Sequence, residues 1–585
     1  MAEIQVKVKH QGKVYDVAVN TESTGEELKM QLYSLTNVEP ENQKILAKKV
    51  VKDDTPLSSL GLKNGATITL IGAPSAEIVT EAPREKMKFA EDMTEAELAQ
   101  LEDAIPAGLQ NTGNTCYANA TLQTLRAIPE LQQELKQYTI APQSSAASAS
   151  SLFSAEQLAE HGIGGLGGGN DLTGALRDLY RQMGETQQGF PPIMFLTTLR
   201  QQFPQFAEKA KTGHGYAQQD AEEVWSQLIH VLHGSLKTND AQGESKTWVD
   251  QYMGGKFEIT TTCDDAPEEE STVNTEDFQN LKCNIAIDTN HLREGLRLAL
   301  DEKIEKNSPS LSREATYTRV SRIARLPKYL PIHLIRFFWR KDTQKKAKIM
   351  RKVTFQHEID LLEFCNEDLR KKLVPVRDKV RELRKEEEDV ERQKKRQKRM
   401  RKEAEDTVNG ESSVRGDEPL QKKKEKEEKE QKEKEKGTTP ESAAVGKKAA
   451  GASQDTEMGG TEVFKTDEEI DREKAETILA MKKELLSLVH EDMRKDSTAG
   501  QTGLYELRGV VTHQGSSADS GHYTAYVKKT ASPGKTEDGK WWWFNDEKVQ
   551  EVDSEKIETL AGGGETHSAL ILLYRAVELP VVEQP

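Results

Sequence analysis

Cysteine is scarce: four residues in 585, at Cys116, Cys263, Cys283 and Cys365, with no C-x-x-C pair among them. That spacing supplies neither a disulfide framework nor paired zinc ligands, and it suits a reducing compartment, cytosol or nucleus. Long apolar runs are missing too. No stretch approaches the ~18–20 residues needed to cross a bilayer, and the opening MAEIQVKVKH lacks a secretory signal, so no membrane partner is expected. Nor is there a basic excess. A formal charge of −16 argues against nucleic acid as the main partner and is compatible with a basic one. With 35% apolar and 31% charged residues, part of the chain is not expected to pack, and the length suggests two to four domains.

Residues 1–73 read as a small domain of their own. IQVKVKHQGKVYDVAVN is two alternating segments around His10-Gln11-Gly12, a hairpin signal. TGEELKMQLYSLTNV follows with Leu28, Leu32 and Leu35 at helical spacing, then QKILAKKVVKDD and GATITLIG supply short strands. This text resembles a ubiquitin-like domain over its whole length, and the resemblance implies a β-grasp fold. The last strand runs into LIGAPSAEIV without a terminal Gly-Gly, so the domain is expected to stay attached and to serve in docking. Leu46 and Leu70 are candidates for its docking patch, or equally for its core.

Residues 74–104, acidic and containing Pro74 and Pro83, read as a linker. A globular region spans 105–577, with a glycine-rich run at Gly162–Asn170 and a charged insert at about 371–470. In the insert, VRDKVRELRKEEEDVERQKKRQKRMRKEAED reads as a solvated helix. QKKKEKEEKEQKEKEKG has no apolar face and reads as a disordered spacer. Strand-like text resumes at TGLYELRGVVTHQG and runs to SALILLYRAV; residues 578–585 form a tail.

The chemistry starts at GLQNTGNTCYANATLQTLRAIPELQQEL, residues 108–135. A lone cysteine is more often a small buried hydrophobe than a nucleophile. Here, however, Leu122, Leu125, Ile128 and Leu131 put a helix directly after Cys116, so the thiol falls at a helix N-terminus. Free N–H groups and the positive dipole end there favour a thiolate. Gly113 permits a tight turn, and Asn111 can aim its amide at a developing oxyanion. A thiolate needs a base, and His522 has the most telling neighbours of the twelve histidines, THQGSSADSGHYTAYVKK. A turn, ASPGKTEDGK, and a second strand, WWWFNDEKV, form a hairpin that returns Asn545 and Asp546 beside the imidazole, where a side-chain oxygen can fix its tautomer. The bland alternative is a surface hairpin with a chance histidine.

Together these segments resemble the ubiquitin-specific protease family, papain-like deubiquitinases. GLQNTGNTCYANATLQ matches the family's cysteine box and SGHYTAYVK…WWWFND its histidine box. YAQQDAEEVWSQLI (Tyr216–Ile229) and LPKYLPIHLIRFF (Leu326–Phe338) agree as well. The resemblance implies an α+β chain: a β-grasp domain followed by a papain-like catalytic domain with fingers, palm and thumb. It implies Cys116 as nucleophile, His522 as general base and acid, Asn111 as oxyanion donor and Asn545 as third triad member, with Asp546 assisting; which of the last two orients His522 stays open. Gln219, Asp220, Glu223 and Tyr523 would hold ubiquitin and its Leu-Arg-Gly-Gly tail, although Asp220 also reads as a helix cap with Trp225, Leu228 and Val231 inward.

Family members with this domain pairing are held on the proteasome regulatory particle by the ubiquitin-like domain. Loops bordering their tail groove restrict activity; the counterpart here is His513–Ser520, with His513, Gln514, Gly515, Ser516 and Ser517 at its start. The expected partners are therefore ubiquitin, its conjugates and the proteasome, with the free chain a monomer in cytoplasm and nucleus. No metal or organic cofactor is implied; Cys263 and Cys283 stand where many members carry a zinc finger's two pairs. The competing reading is a ubiquitin-binding scaffold that tunes the proteasome without catalysis.

Overall fold

The computed structural model describes all residues except 1–2, 11, 22, 37, 48, 73–92, 102–103, 140–170, 211–214, 240–244, 341–344, 410–466, 518–519, 532–536, 565–566 and 581–585. The run Gly162–Asn170, most of the linker, residues 410–466 of the insert and the end of the tail thus lie outside the described residues. The chain forms two compact units, residues 1–92 and 93–585.

In the first unit β1 (Glu3–His10) and β2 (Lys13–Asn20) pair antiparallel, followed by α1 (Gly25–Thr36), β3 (Lys44–Leu46), β4 (Val50–Val51) and β5 (Ala66–Ile71). The sheet order β2-β1-β5-β3-β4, with β5 parallel to β1, is a β-grasp. Strand alternation buries Val6, Val8, Val17, Val19, Ile45 and Ile68 against Leu28 and Leu32. Two expectations change. Leu35 is exposed, the last turn of α1 burying Thr36 instead. Leu70 is core, 2% exposed, because its neighbours in β5 alternate around it; Leu46, 36% exposed, is on the surface.

The second unit has a helical part and two larger sheets. Its helices are α2 (Cys116–Arg126), α3 (Pro129–Gln137), α4 (Leu172–Met183), α5 (Ile193–Gln202) and α6 (Ala221–Ser235). Every residue of α2 from Cys116 to Leu125 is buried, because it packs against α6 on one side and the sheet on the other.

The strands are β6 (Lys237–Asn239), β7 (Ser245–Thr247), β8 (Gly255–Cys263), β9 (Thr272–Phe278), β10 (Leu281–Cys283), β11 (Asp301–Ser308), β12 (Arg313–Arg325) and β13 (Tyr329–Leu334). They continue as β14 (Phe337–Arg340), β15 (Lys345–Lys348), β16 (Glu358–Asp360), β17 (Leu504–Ser517), β18 (Ser520–Lys528), β19 (Trp541–Asn545), β20 (Lys548–Val552) and β21 (Ser568–Ala576). The main sheet runs β10-β13-β21-β17-β18-β19-β20 with β16 on β17; a second runs β11-β12-β8-β9. Central strands β13 and β21 are buried on both faces, which explains their continuous apolar text. Cys263 and Cys283 are buried in separate clusters, and burial pushes the Cys283 thiol up to about 12.

The insert is less separate than its charge suggests. Residues Glu367–Asn409 form one helix, α7, whose beginning is packed: Leu369, Leu373, Val376, Val380 and Leu383 are all buried. These residues recur every three or four positions, the period of one helix face. The second helix, α8 (Asp467–Leu488), returns beside it, and Val376, Val380 and Leu383 share a core with Leu485, Val489, Leu504 and Val577. Lys379–Glu484 (2.6 Å) and Lys482–Glu387 (2.8 Å) flank that seam, and Arg384 reaches Glu506 of β17 at 2.7 Å. The start of the insert therefore belongs to the catalytic unit. Leu485→Ala is expected to lower stability by about 2–4 kcal/mol, measured by urea unfolding. Lys395→Ala, at a side chain 76% exposed, is expected to change it by less than about 0.5 kcal/mol.

Candidate active site

The loop before Cys116 is held by its own side chains. Asn111 Oδ1 accepts from the backbone amides of Gly113 (3.0 Å) and Thr115 (3.3 Å) and from the Thr115 hydroxyl (3.3 Å). Thr115 Oγ1 in turn accepts from the Thr112 amide at 3.1 Å. Asn114 donates to the Tyr216 carbonyl at 2.9 Å, and Gln110 to the Gly189 carbonyl at 2.9 Å. Gly113 (φ +104°) and Asn114 (φ +54°) take the left-handed conformations the turn requires. The amide-rich text is thus a folded loop that delivers Cys116 to the first position of α2.

The thiol itself is 3% exposed. Burial pushes it up to about 11, opposed by the backbone amides of Tyr523 and Tyr117, while the nearby Asp546 carboxylate adds to the rise. The helix start does not win: desolvation outweighs the dipole, and the resting group at neutral pH is a thiol. This corrects the expectation of a resting thiolate. The Tyr523 amide that meets the sulfur belongs to the residue after His522, so Cys116 lies against the start of β18.

His522 is ordered from the other side. β18 and β19 pair antiparallel with Ala525 opposite Phe544, which brings Asn545 back to the imidazole. His522 Nε2 lies 2.6 Å from Asn545 Oδ1. That oxygen only accepts, so Nε2 carries the proton and the lone pair of the neutral ring sits on Nδ1. Asp546 Oδ2 is farther, 4.0 Å from Nε2. Asn545 is therefore the direct partner of His522. Two other histidines nearby are held neutral: burial lowers His513 to about 3 and His567 to about 4.

Asp546 does something else. At φ +52°, its carboxylate accepts from Asn111 Nδ2 at 3.0 Å and from Asn119 Nδ2 at 2.8 Å, and its carbonyl accepts from the Leu109 amide at 3.0 Å. Gly108 lies so close that an added Cβ would fall 2.4 Å from the Glu547 carbonyl oxygen. In this state the Asn111 amide is turned to Asp546. Asn119 was missed by sequence reasoning; its signal was an amide one turn after the thiol, in a helix that Leu122 and Leu125 mark as packed.

The remaining candidates are more scattered. Asp220 caps α6, accepting from the Glu222 amide at 3.1 Å, with Trp225 and Leu228 buried and Val231 partly so. Gln219 donates to the Gln205 carbonyl at 3.1 Å; Glu223 is half-buried in the first turn. Tyr523 was expected to touch substrate, but its ring is 0% exposed and lies 4.6 Å from that of His513, so its side chain is core. The loop expected at 513–520 is instead strand through Ser517, with Gln514 opposite His522 and Ser517 opposite Ser520; residues 518–519 lie outside the described residues. His513 is buried there, its carbonyl accepting from Lys348 Nζ at 2.7 Å. Gln514, Gly515 and Ser516 continue the strand beyond it.

A cysteine at a helix start, a histidine just before the amide that meets the sulfur, and an asparagine on that histidine's Nε2 are the parts a thiol hydrolase needs. The family model for ubiquitin carboxyl-terminal hydrolase matches residues 107–574, and that for the ubiquitin family matches residues 4–75. The chain belongs to the ubiquitin carboxyl-terminal hydrolase family. It is a cysteine-dependent deubiquitinating enzyme with an N-terminal ubiquitin-like domain. It is similar to ubiquitin carboxyl-terminal hydrolase 6 of Schizosaccharomyces pombe, 36% identical over 98% of this chain and 99% of the relative. Ubiquitin carboxyl-terminal hydrolase 7 of Arabidopsis thaliana is 33% identical over 98% and 99%, and hydrolase 14 of Caenorhabditis elegans 28% over 98% and 93%.

The burial of the sulfur has a measurable sign. With a thiol raised to about 11, alkylation of Cys116 by iodoacetamide in the free enzyme should accelerate about tenfold per pH unit between roughly pH 7 and 9. A plateau below pH 8 would show a resting thiolate instead.

Proposed function

We propose that the enzyme cleaves the bond after ubiquitin's terminal glycine on conjugates held at the proteasome, releasing ubiquitin for reuse. The observation that carries the chemistry is the junction of Cys116, the Tyr523 amide, His522 and Asn545. His522 takes the proton of the Cys116 thiol, and the sulfur attacks the glycine carbonyl. Asn111, keeping one Nδ2 hydrogen on Asp546 and offering the other to the developing oxyanion, stabilises it together with backbone amides at the start of α2. The imidazolium then gives its proton to the departing lysine amine as the C–N bond breaks. Water, deprotonated by His522, attacks the thioester, the C–S bond breaks and ubiquitin leaves with a free carboxylate. Asn545 keeps the proton on Nε2 throughout. Gln219, Asp220 and Glu223 are assigned to the substrate side, where carboxylates suit the tail's arginine.

The ubiquitin-like unit is assigned to docking on the regulatory particle, which places the enzyme in cytoplasm and nucleus wherever proteasomes are. Support comes from its outer sheet face, where Val14 (52% exposed), Leu46 (36%), Val50 (45%) and Ile71 (51%) stand among the exposed Lys7, Lys9 and Lys44. An apolar patch rimmed by lysines fits an apolar partner surface with an acidic border.

A ubiquitin probe with an electrophilic C-terminus should label Cys116, with and without added proteasome, and fail on Cys116→Ala. No labelling in either state would leave the scaffold reading in its place. Asn111→Ala should lower kcat by about 10²–10³-fold on a ubiquitin C-terminal amide. Deleting residues 1–73 should reduce co-purification with proteasomes while probe labelling persists; unchanged co-purification would remove the docking assignment.

A further inference from the structure

Asn119 is an unusual residue for its place. It sits one helical turn after Cys116, 2% exposed, in a helix whose other side chains fill the core. Its Nδ2 faces three oxygens: Asp546 Oδ1 at 2.8 Å and the carbonyls of Leu109 and Gln110, both at 3.3 Å. Its own Oδ1 is buried without a hydrogen-bond partner among the described residues. A buried carbonyl left unpaired is unfavourable, and an apolar side chain of the same size would avoid it. What the amide adds is its donation to the Asp546 carboxylate.

That carboxylate has one oxygen for each asparagine: Oδ1 takes Asn119 and Oδ2 takes Asn111. The Asp546 side chain is 13% exposed, so few water molecules replace a lost donor. Without Asn119 the carboxylate can turn about χ2, and its Oδ2 no longer holds Asn111 in register with Cys116. The Leu109 and Gln110 carbonyls that share the same amide immediately precede Asn111 in the chain, so one side chain fixes both the loop entering the site and the acid above it.

We propose that Asn119 is a positioning residue for the oxyanion donor, acting through Asp546. The assignment rests on Asn111 serving in that role. It makes Asn119 part of the reaction without contact to substrate, and it predicts a loss that appears in the transition state alone.

The test is a double-mutant cycle in the full-length chain, read as kcat and KM on a fluorogenic ubiquitin C-terminal amide. Asn119→Ala, which favours the helix, and Asn119→Leu, which keeps the volume, should each lower kcat about 10- to 100-fold with KM within about twofold. In an Asn111→Ala background the same changes should cost less than about threefold, because the group being positioned is already gone. Losses that multiply across the two sites overturn the assignment while leaving Asn111 its role. Activity within twofold of the parent for both Asn119 variants also overturns it. If Asn111→Ala alone is silent, the oxyanion reading falls and this inference with it. Thermal melting of each variant distinguishes a kcat loss from partial unfolding, and a loss that tracks melting overturns the proposal too.

Discussion

Asp546 is the joint on which the site turns. The cysteine loop and the histidine strand are about four hundred residues apart in the chain, and Asp546 ties them together through both its side chain and its carbonyl. The carboxylate binds two asparagines from the cysteine side, and the adjacent backbone carbonyl binds Leu109. On its own side the preceding residue, Asn545, holds His522. Two consecutive residues, the last of β19 and the one after it, thus divide the work: one orients the imidazole, the other the cysteine loop. A neutral amide is enough beside the imidazole because its task is to accept a proton's hydrogen bond. The charged group stands where it has two amide donors to satisfy it.

Burial of the nucleophile follows from the same packing. α2 is wedged between α6 and the sheet, and the price of that rigidity is a sulfur whose anion is poorly solvated. The amide of Tyr523 recovers part of the loss, but not all. The free enzyme therefore holds a protonated sulfur. Such an arrangement keeps the resting thiol slow toward oxidants and electrophiles.

Much of this was legible in the sequence, where the signals were local. Alternation around His10-Gln11-Gly12 gave the first hairpin, and the amide-rich run ahead of Leu122 and Leu125 gave a helix beginning at Cys116. The pairing of SGHYTAYVK with WWWFND put Asn545 beside His522. What failed depended on distant parts of the chain. Nothing near Tyr523 says that His513 will cover its ring, and nothing near Leu70 says which face of β5 the helix will meet. Asp546 looked like an assistant to histidine because its true partners, Asn111 and Asn119, are supplied by another segment. The apolar face from Leu369 to Leu383 was visible in principle, but charged neighbours outnumber it and conceal the period.

The return of α8 alongside α7 has a consequence for how this chain can change over time. The two helices lie against each other from Gln393 and Lys474 to a seam among Val376, Val380, Leu485 and Val489. Closing a connection of any length between such neighbours costs little more when it doubles. The strands that carry His522 and Asn545 are anchored in the main sheet, apart from that seam. The helical pair thus works as a stem, separating the chemistry from the length of chain that joins α7 to α8.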